Sequence, residues 1–282
     1  MELEMRTAQV NGIDLAYAVI GDGRPLLLIH GTGVPASTWP QRWVERLAEH
    51  RQVVMFDYRG TGSTPATDEA FTTRMLARDA TELLRELGAH PADVLGHSMG
   101  GRVAQWVALD CPELTRSLIL DSSGPGEFGG PFPVTRGIPL QVAVEMAEMG
   151  MLGHFEHEVR EVGFTPGHLA GDAPGFHEFV DAFAANPTSI RDYLRLTIAR
   201  QLHQTAGLLG DIRVPTLVLV GEEETTLGGT GSHVDQAEHL ARMIPDAELQ
   251  LLPDLAHFHF WQDPEGTADT VLEWLARVPA SR

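Results

Sequence analysis

Apolar residues fall along this chain in short bursts rather than long stretches. Residues 3–20 alternate around Asn11-Gly12, the dipeptide most favourable to a tight hairpin, which predicts two antiparallel strands at the start. Compact apolar runs follow at 25–29, 52–57, 92–95, 117–120, 216–220 and 248–252, each bounded by turn residues, and these predict buried strands. Helical periodicity fills the intervals. Over 73–87, Leu76, Ala80, Leu83, Leu84 and Leu87 share one face and Gly88 ends the helix. Thr38-Trp-Pro-Gln41 and Ser232-His-Val-Asp235 have the pattern of helix-starting caps. Strand alternating with helix predicts an α/β fold with a mainly parallel sheet covered on both faces.

One region breaks this rhythm. Residues 122–208 carry no strand pattern, are interrupted by Gly and Pro, and hold Phe128, Phe132, Met146, Met149, Met151, Phe155, Phe164, Phe176, Phe179, Phe183 and Tyr193. They predict a helical insertion, a lid over a core formed by 1–121 and 209–282, with about a third of these side chains facing a ligand cavity and the rest packing the lid itself.

Composition narrows the function. Lys plus Arg number 20 against 39 Asp plus Glu, a formal net charge of −19, so phosphate backbones and anionic lipid are repelled and neither nucleic acid nor membrane is expected as a partner. All the basic residues are arginine, which removes lysine Schiff-base chemistry and the lysine of a phosphate-binding loop. The single cysteine, Cys111, has no internal disulfide partner and reads as a small buried hydrophobe at the end of a helix. Met1 to Arg6 lack a signal-peptide pattern, and no apolar run approaches the roughly 20 residues of a membrane span, so a cytoplasmic protein is expected.

The chemistry concentrates at Ser98. The stretch from Ala92 to Leu109 passes from an apolar strand through Gly96-x-Ser98-x-Gly100 into a helix. Glycines at 96 and 100 let strand and helix approach around a sharp turn, which projects the serine outward above the positive end of a helix. A serine needs a base, and His257 and His259 both stand near the C-terminus in Leu252-Pro-Asp-Leu-Ala-His-Phe-His-Phe-Trp-Gln-Asp-Pro-Glu.

With the elbow, His30-Gly31-Thr32-Gly33 and Phe56-Asp57-Tyr58-Arg59-Gly60-Thr61-Gly62-Ser63, nearly the whole chain resembles the α/β-hydrolase family, and its lidded serine carboxylesterases and enol-lactonases in particular. The resemblance implies an eight-stranded, mostly parallel sheet with a helical cap. It makes Ser98 the nucleophile and His257, rather than His259, the base. The amides of Met99 and of Thr32 or Gly33 become the oxyanion hole. The acid is usually an aspartate three residues beyond the glycine closing the penultimate strand; here Glu224 stands there, a departure, and Asp121 is the runner-up because some members hold the acid at that place.

The implied reaction is hydrolysis of an ester, lactone or similar activated carbonyl of a small to medium apolar molecule through an acyl-enzyme, without cofactor or metal. A carboxylate at the elbow, as haloalkane dehalogenases and ordinary epoxide hydrolases need, is absent. Carbon–carbon hydrolysis, thioester hydrolysis and non-catalytic ligand binding stay open on the same scaffold. His154 and His157, three apart on an acidic helix, lack a third ligand at zinc spacing. Gly21-Asp-Gly23 and Gly60-Thr-Gly62 lack the third glycine of a dinucleotide fingerprint. Arg102 and Trp106 are expected to pack on the helix after Ser98, away from substrate.

Overall fold

Each apolar run becomes a strand of one sheet. A computed structural model describes residues 3–127, 140–171, 173–224 and 232–279. Its strands are β1 (Arg6–Val10), β2 (Ile13–Ile20), β3 (Arg24–Ile29), β4 (Arg51–Phe56), β5 (Ala92–His97), β6 (Thr115–Asp121), β7 (Thr216–Gly221) and β8 (Ala247–Leu252). They lie side by side as β1-β2-β4-β3-β5-β6-β7-β8. β2 runs antiparallel to β1 and β4, and the remaining pairs are parallel. Asn11 and Gly12 take φ of 47° and 76° to close the first hairpin.

Around the sheet stand α1 (Gln41–Ala48), α2 (Thr73–Glu86), α3 (Met99–Asp110), α4 (Leu140–Glu158), α5 (Pro166–Ala170), α6 (Pro174–Ala185), α7 (Ile190–Gln201), α8 (His233–Met243), α9 (His259–Gln262) and α10 (Pro264–Arg277). Alternate strand residues point to opposite faces, and each face has its own core. Leu27, Val54, Val94, Leu118 and Val218 pack with Leu76 of α2, Val103 of α3 and Leu240 of α8. Leu26, Val53, Leu95, Ile119 and Leu217 pack with Trp43 of α1 and Val271 and Trp274 of α10, and this layer continues into Phe155, Phe179 and Phe183 of α4 and α6. Helices α4 to α7 all lie between β6 and β7 in sequence, within the stretch expected to be inserted.

Topology places the site. From β3 the chain winds to β4 on one side, then returns to β5 on the other, so the carboxyl ends of β3 and β5 adjoin where the winding reverses, Ile29 beside Gly96. Such a switch point leaves a crevice at the strand ends. The glycines there are required by contact: a Cβ on Gly100 would lie 2.0 Å from the Ile29 carbonyl oxygen, and one on Gly96 would lie 2.2 Å from that of Gly100.

Three local expectations need correction. Thr38 does not cap α1; it ends a short 3-10 turn and donates its hydroxyl to the Pro35 carbonyl at 2.6 Å, while α1 starts after Pro40 without a side-chain cap. Ser232, in contrast, caps α8 by accepting from the Asp235 amide. β8 is not a buried strand, because it is the sheet's last and one side has no neighbour, which leaves Leu249 and Leu251 exposed. Cys111 is half-buried, 3.6 Å from the Arg85 guanidinium. Among the described residues no helix is long and apolar enough to cross a membrane.

Candidate active site

Ser98 sits on a strained corner. Its φ and ψ are 55° and −117°, a region costly for a residue with a Cβ, and it persists because its surroundings over-determine it. The Ser98 amide donates to the Asp121 carbonyl at 2.8 Å, while the Ser98 carbonyl accepts from the Gly101 amide at 3.1 Å and the Ser123 hydroxyl at 2.7 Å. The corner aims the side chain into a narrow cleft that opens to solvent and is lined also by Thr32, Val34, His97, Phe155, Tyr193, His257 and Phe258.

The loop after β3 is equally well held. His30 stacks on Trp39 at 4.0 Å, accepts from the Gly31 amide on Nδ1 at 2.7 Å, and meets the Thr38 hydroxyl through Nε2 at 3.1 Å. The Tyr58 hydroxyl donates to the His30 carbonyl at 2.9 Å. Asp57 receives the Ala36 and Ser63 amides, and Arg59 forks onto Asp79 at 2.6 and 2.7 Å. Among the described residues neither the Thr32 amide nor the Met99 amide donates to another backbone group, so both remain available beside Ser98. Gly33 does not line the cleft; its carbonyl accepts from Thr188 and a Cβ there would strike the Tyr193 ring.

The two histidines separate cleanly. His257 lines the cleft and its Nδ1 lies 3.0 Å from Glu224 Oε2. His259 is buried and absent from the cleft lining, with Nε2 2.7 Å from Asp121 Oδ1. The other Asp121 oxygen receives His97 Nδ1 at 3.0 Å. Asp121, the runner-up acid, thus serves His259 and His97, and among the described residues it forms no hydrogen bond with His257. Glu224 reaches because its backbone folds back after β7: its amide donates to the Gly221 carbonyl, and its Oε1 accepts from the Gly221 amide and the Ser122 hydroxyl. This fold-back is what lets the glutamate side chain reach His257. The Gly-rich residues 227–231 that follow lie outside the described residues.

A model of the alpha/beta hydrolase family matches residues 26–270. The chain belongs to this family. A soluble epoxide hydrolase of Corynebacterium sp. (strain C12) is 35% identical over 141 residues, 47% of this chain and 47% of that protein, so the match spans about half of that relative. The enol-lactonase from Burkholderia xenovorans LB400 has a similar structure, with a TM-score of 0.82, 24% identity, and coverage of 96% of this chain and 100% of that one. A thermophilic esterase from Thermogutta terrifontis superposes with a TM-score of 0.79 at 23% identity, over 99% of each chain. These structural likenesses speak to the fold.

As an α/β-hydrolase the chain holds one surprise at Glu224. His233, the first residue of α8, brings Nδ1 to 2.9 Å from the same Glu224 oxygen and stacks on His257 with ring centroids 4.8 Å apart. The nitrogen lies off the direction of a good hydrogen bond, so the contact is close without being a hydrogen bond. Nothing in the local sequence spacing links positions 224, 233 and 257. Glu224, His233 and His257 are also the group of donors that, among the described residues, lies close enough to share a metal ion; two imidazoles facing one carboxylate oxygen account for that closeness on their own. His154 meets Glu145 and Glu158 instead, and His157 is exposed.

Other expectations about the cleft fare unevenly. Phe155 and Tyr193 line it, while Met146, Met151, Phe164, Phe176, Phe179 and Phe183 are buried in the core and Met149 is exposed. Phe128 and Phe132 lie outside the described residues. Phe258, Glu158 and Arg200 line the cleft without having been singled out.

The electrostatics follow from burial. Against burial's upward push, His257 and His233 hold the Glu224 carboxyl well below the usual range, so it is ionised. Burial drives the His257 imidazole down to about 3 in spite of Glu224, with His97 and His233 adding to the fall. Burial also holds His30 and His203 well below 6.5. All three are neutral when folded and take up protons below about 6.5 when unfolded, so the unfolded state binds more protons as pH drops. Folding stability is therefore full above about pH 6.5 and is lost below it, by roughly 4 kcal/mol for the three between about pH 7.5 and 5.5. Urea denaturation at the two pH values checks this; an unchanged midpoint contradicts it.

Proposed function

We propose that this α/β-hydrolase is a serine hydrolase of esters, lactones or similar activated carbonyls, with Ser98, His257 and Glu224 as its triad. The observation that carries the reading is the hydrogen bond from a cleft histidine to a buried, ionised glutamate, in the same cleft as an elbow serine. His257 Nδ1–H donates to Glu224, which leaves the Nε2 lone pair free to take a proton. Ser98 Oγ attacks the carbonyl carbon while its proton passes to His257, and the oxyanion rests on the Thr32 and Met99 amides, worth roughly 3 kcal/mol per donor. Collapse breaks the carbon–oxygen bond, and His257 returns the proton to the leaving alcohol. Water then attacks the acyl-serine with His257 as base, releasing the carboxylic acid and restoring Ser98.

Epoxide opening of the kind suggested by the Corynebacterium relative fits less well, because an alkyl-ester intermediate needs a carboxylate nucleophile and the elbow carries a hydroxyl. Helices α4 and α7 act as a lid, supplying Phe155, Glu158, Tyr193 and Arg200 to the cleft opposite the strand ends. A fluorophosphonate probe tests the proposal directly: mass spectrometry is expected to find one adduct, on Ser98, with loss of esterase activity in proportion. Labelling elsewhere, or none, overturns it.

A further inference from the structure

The cleft holds a cation that forms no ion pair among the described residues. Arg200, at the end of α7, lines the same cleft as Ser98 and His257. Its Nε is buried with no hydrogen-bond partner, and it forms no ion pair among the described residues. Beneath it lies Arg102 of α3, 3% exposed, whose Nη1 donates to the Arg200 carbonyl at 2.7 Å and which likewise has no carboxylate partner among the described residues. Burial and the neighbouring Arg200 charge push the Arg102 guanidinium down to about 9.

The other polar groups around this pair do not relieve it. His203 is kept neutral by burial and by Arg102, and its ring nitrogens face the Thr73 and Thr205 hydroxyls. Arg195, one turn back on α7, is paired with Asp192 at 3.0 Å. Glu158 is the carboxylate on the cleft wall, but its Oε2 accepts from the Tyr193 hydroxyl at 2.7 Å and lies 3.7 Å from His154 Nε2. With 39 acidic residues against 20 basic ones, a shortage of carboxylates is not the reason. Arg200 is half-buried with its Nε out of reach of water and unpartnered, and a guanidinium's planar fork matches the two oxygens of a carboxylate.

We propose that Arg200 receives a free carboxylate carried by the substrate, so that the preferred esters and lactones derive from dicarboxylic acids rather than from simple apolar ones. This rests on the hydrolase reading above and names its substrate class. The substrate's carboxylate seats at α7, and its scissile carbonyl then falls toward Ser98 and the Thr32 and Met99 amides. The apolar wall of Val34, Phe155 and Phe258 accommodates the methylenes between them. The carboxylate does no chemistry; it orients.

Two measurements decide it. The first compares kcat/KM for the para-nitrophenyl monoester of glutaric acid with that for para-nitrophenyl pentanoate, which has a methyl in place of the carboxylate. The wild type is expected to prefer the acidic ester by about tenfold to a hundredfold, Arg200→Gln to bring that ratio close to one, and Arg200→Lys to restore part of it. The Arg200 carbonyl, which receives Arg102, survives both substitutions, and circular dichroism verifies that each folds. A wild-type ratio near one, or a ratio unmoved by Arg200→Gln, overturns the proposal.

The second uses Ser98→Ala protein and calorimetry, with monomethyl glutarate against dimethyl glutarate. Binding of the monoester alone, lost in Ser98→Ala/Arg200→Gln, supports the carboxylate site; equal binding of both overturns it. If the wild type hydrolyses neither para-nitrophenyl ester, the hydrolase reading fails while calorimetry still decides the role of Arg200.

Discussion

Ser98→Ala lowers kcat/KM for para-nitrophenyl esters by about 10⁴-fold or more while leaving thermal stability nearly unchanged. On the proposed mechanism the loss is large because the substitution removes the attacking atom itself, leaving the oxyanion hole and binding alone. Stability is spared because the Ser98 hydroxyl forms no hydrogen bond to the protein among the described residues, and the bonds that hold the corner run through its backbone to Asp121, Gly101 and Ser123. Alanine keeps those bonds and carries the same Cβ at φ 55°. Steady-state kinetics with a melting curve checks both halves. Turnover within tenfold of wild type would show that another group attacks.

Glu224→Gln is expected to lower kcat by about 10³ to 10⁴-fold. A carboxamide that turns its NH₂ toward His257 Nδ1 favours the opposite tautomer, with the proton on Nε2, where a base must have a lone pair. The Gly221 amide and the Ser122 hydroxyl both donate to Oε1, so the amide oxygen is held on that side and the NH₂ is steered to His257. Asp121→Asn gives the contrasting result. Against burial's upward push, His259 and His97 hold the Asp121 carboxyl well below the ordinary range, so its loss strikes folding first. Its variant is expected to melt earlier and keep most of its kcat per folded molecule. If Asp121→Asn instead abolished turnover and Glu224→Gln did not, the acid would be Asp121.

Much of this architecture was readable in the sequence because the physics that fixes it is local. A buried parallel strand must be a short apolar run, and an elbow needs glycine on either side of the turn; both leave marks within a few residues. Thr38 misled because Pro35 and Pro40 frame a 3-10 turn, and the hydroxyl found a nearer carbonyl than any helix amide could offer. β8 misled because an apolar run does not reveal whether another strand lies beyond it. Arg102 was rightly expected to pack at α3, yet its significance depends on Arg200, some hundred positions later. His233 was read only as part of a helix start, and its approach to Glu224 is set by how α8 docks against β7 and β8. Such meetings are tertiary facts, and no periodicity encodes them.

The molecule divides its labour between layers. The groups that would break the bond ride on loops at the sheet's carboxyl edge, whereas Phe155, Tyr193 and Arg200, which also line the cleft, ride on helices that fall between β6 and β7 in sequence. Changes in clientele can therefore be written outside the sheet, since residues 140–201 contribute none of the eight strands.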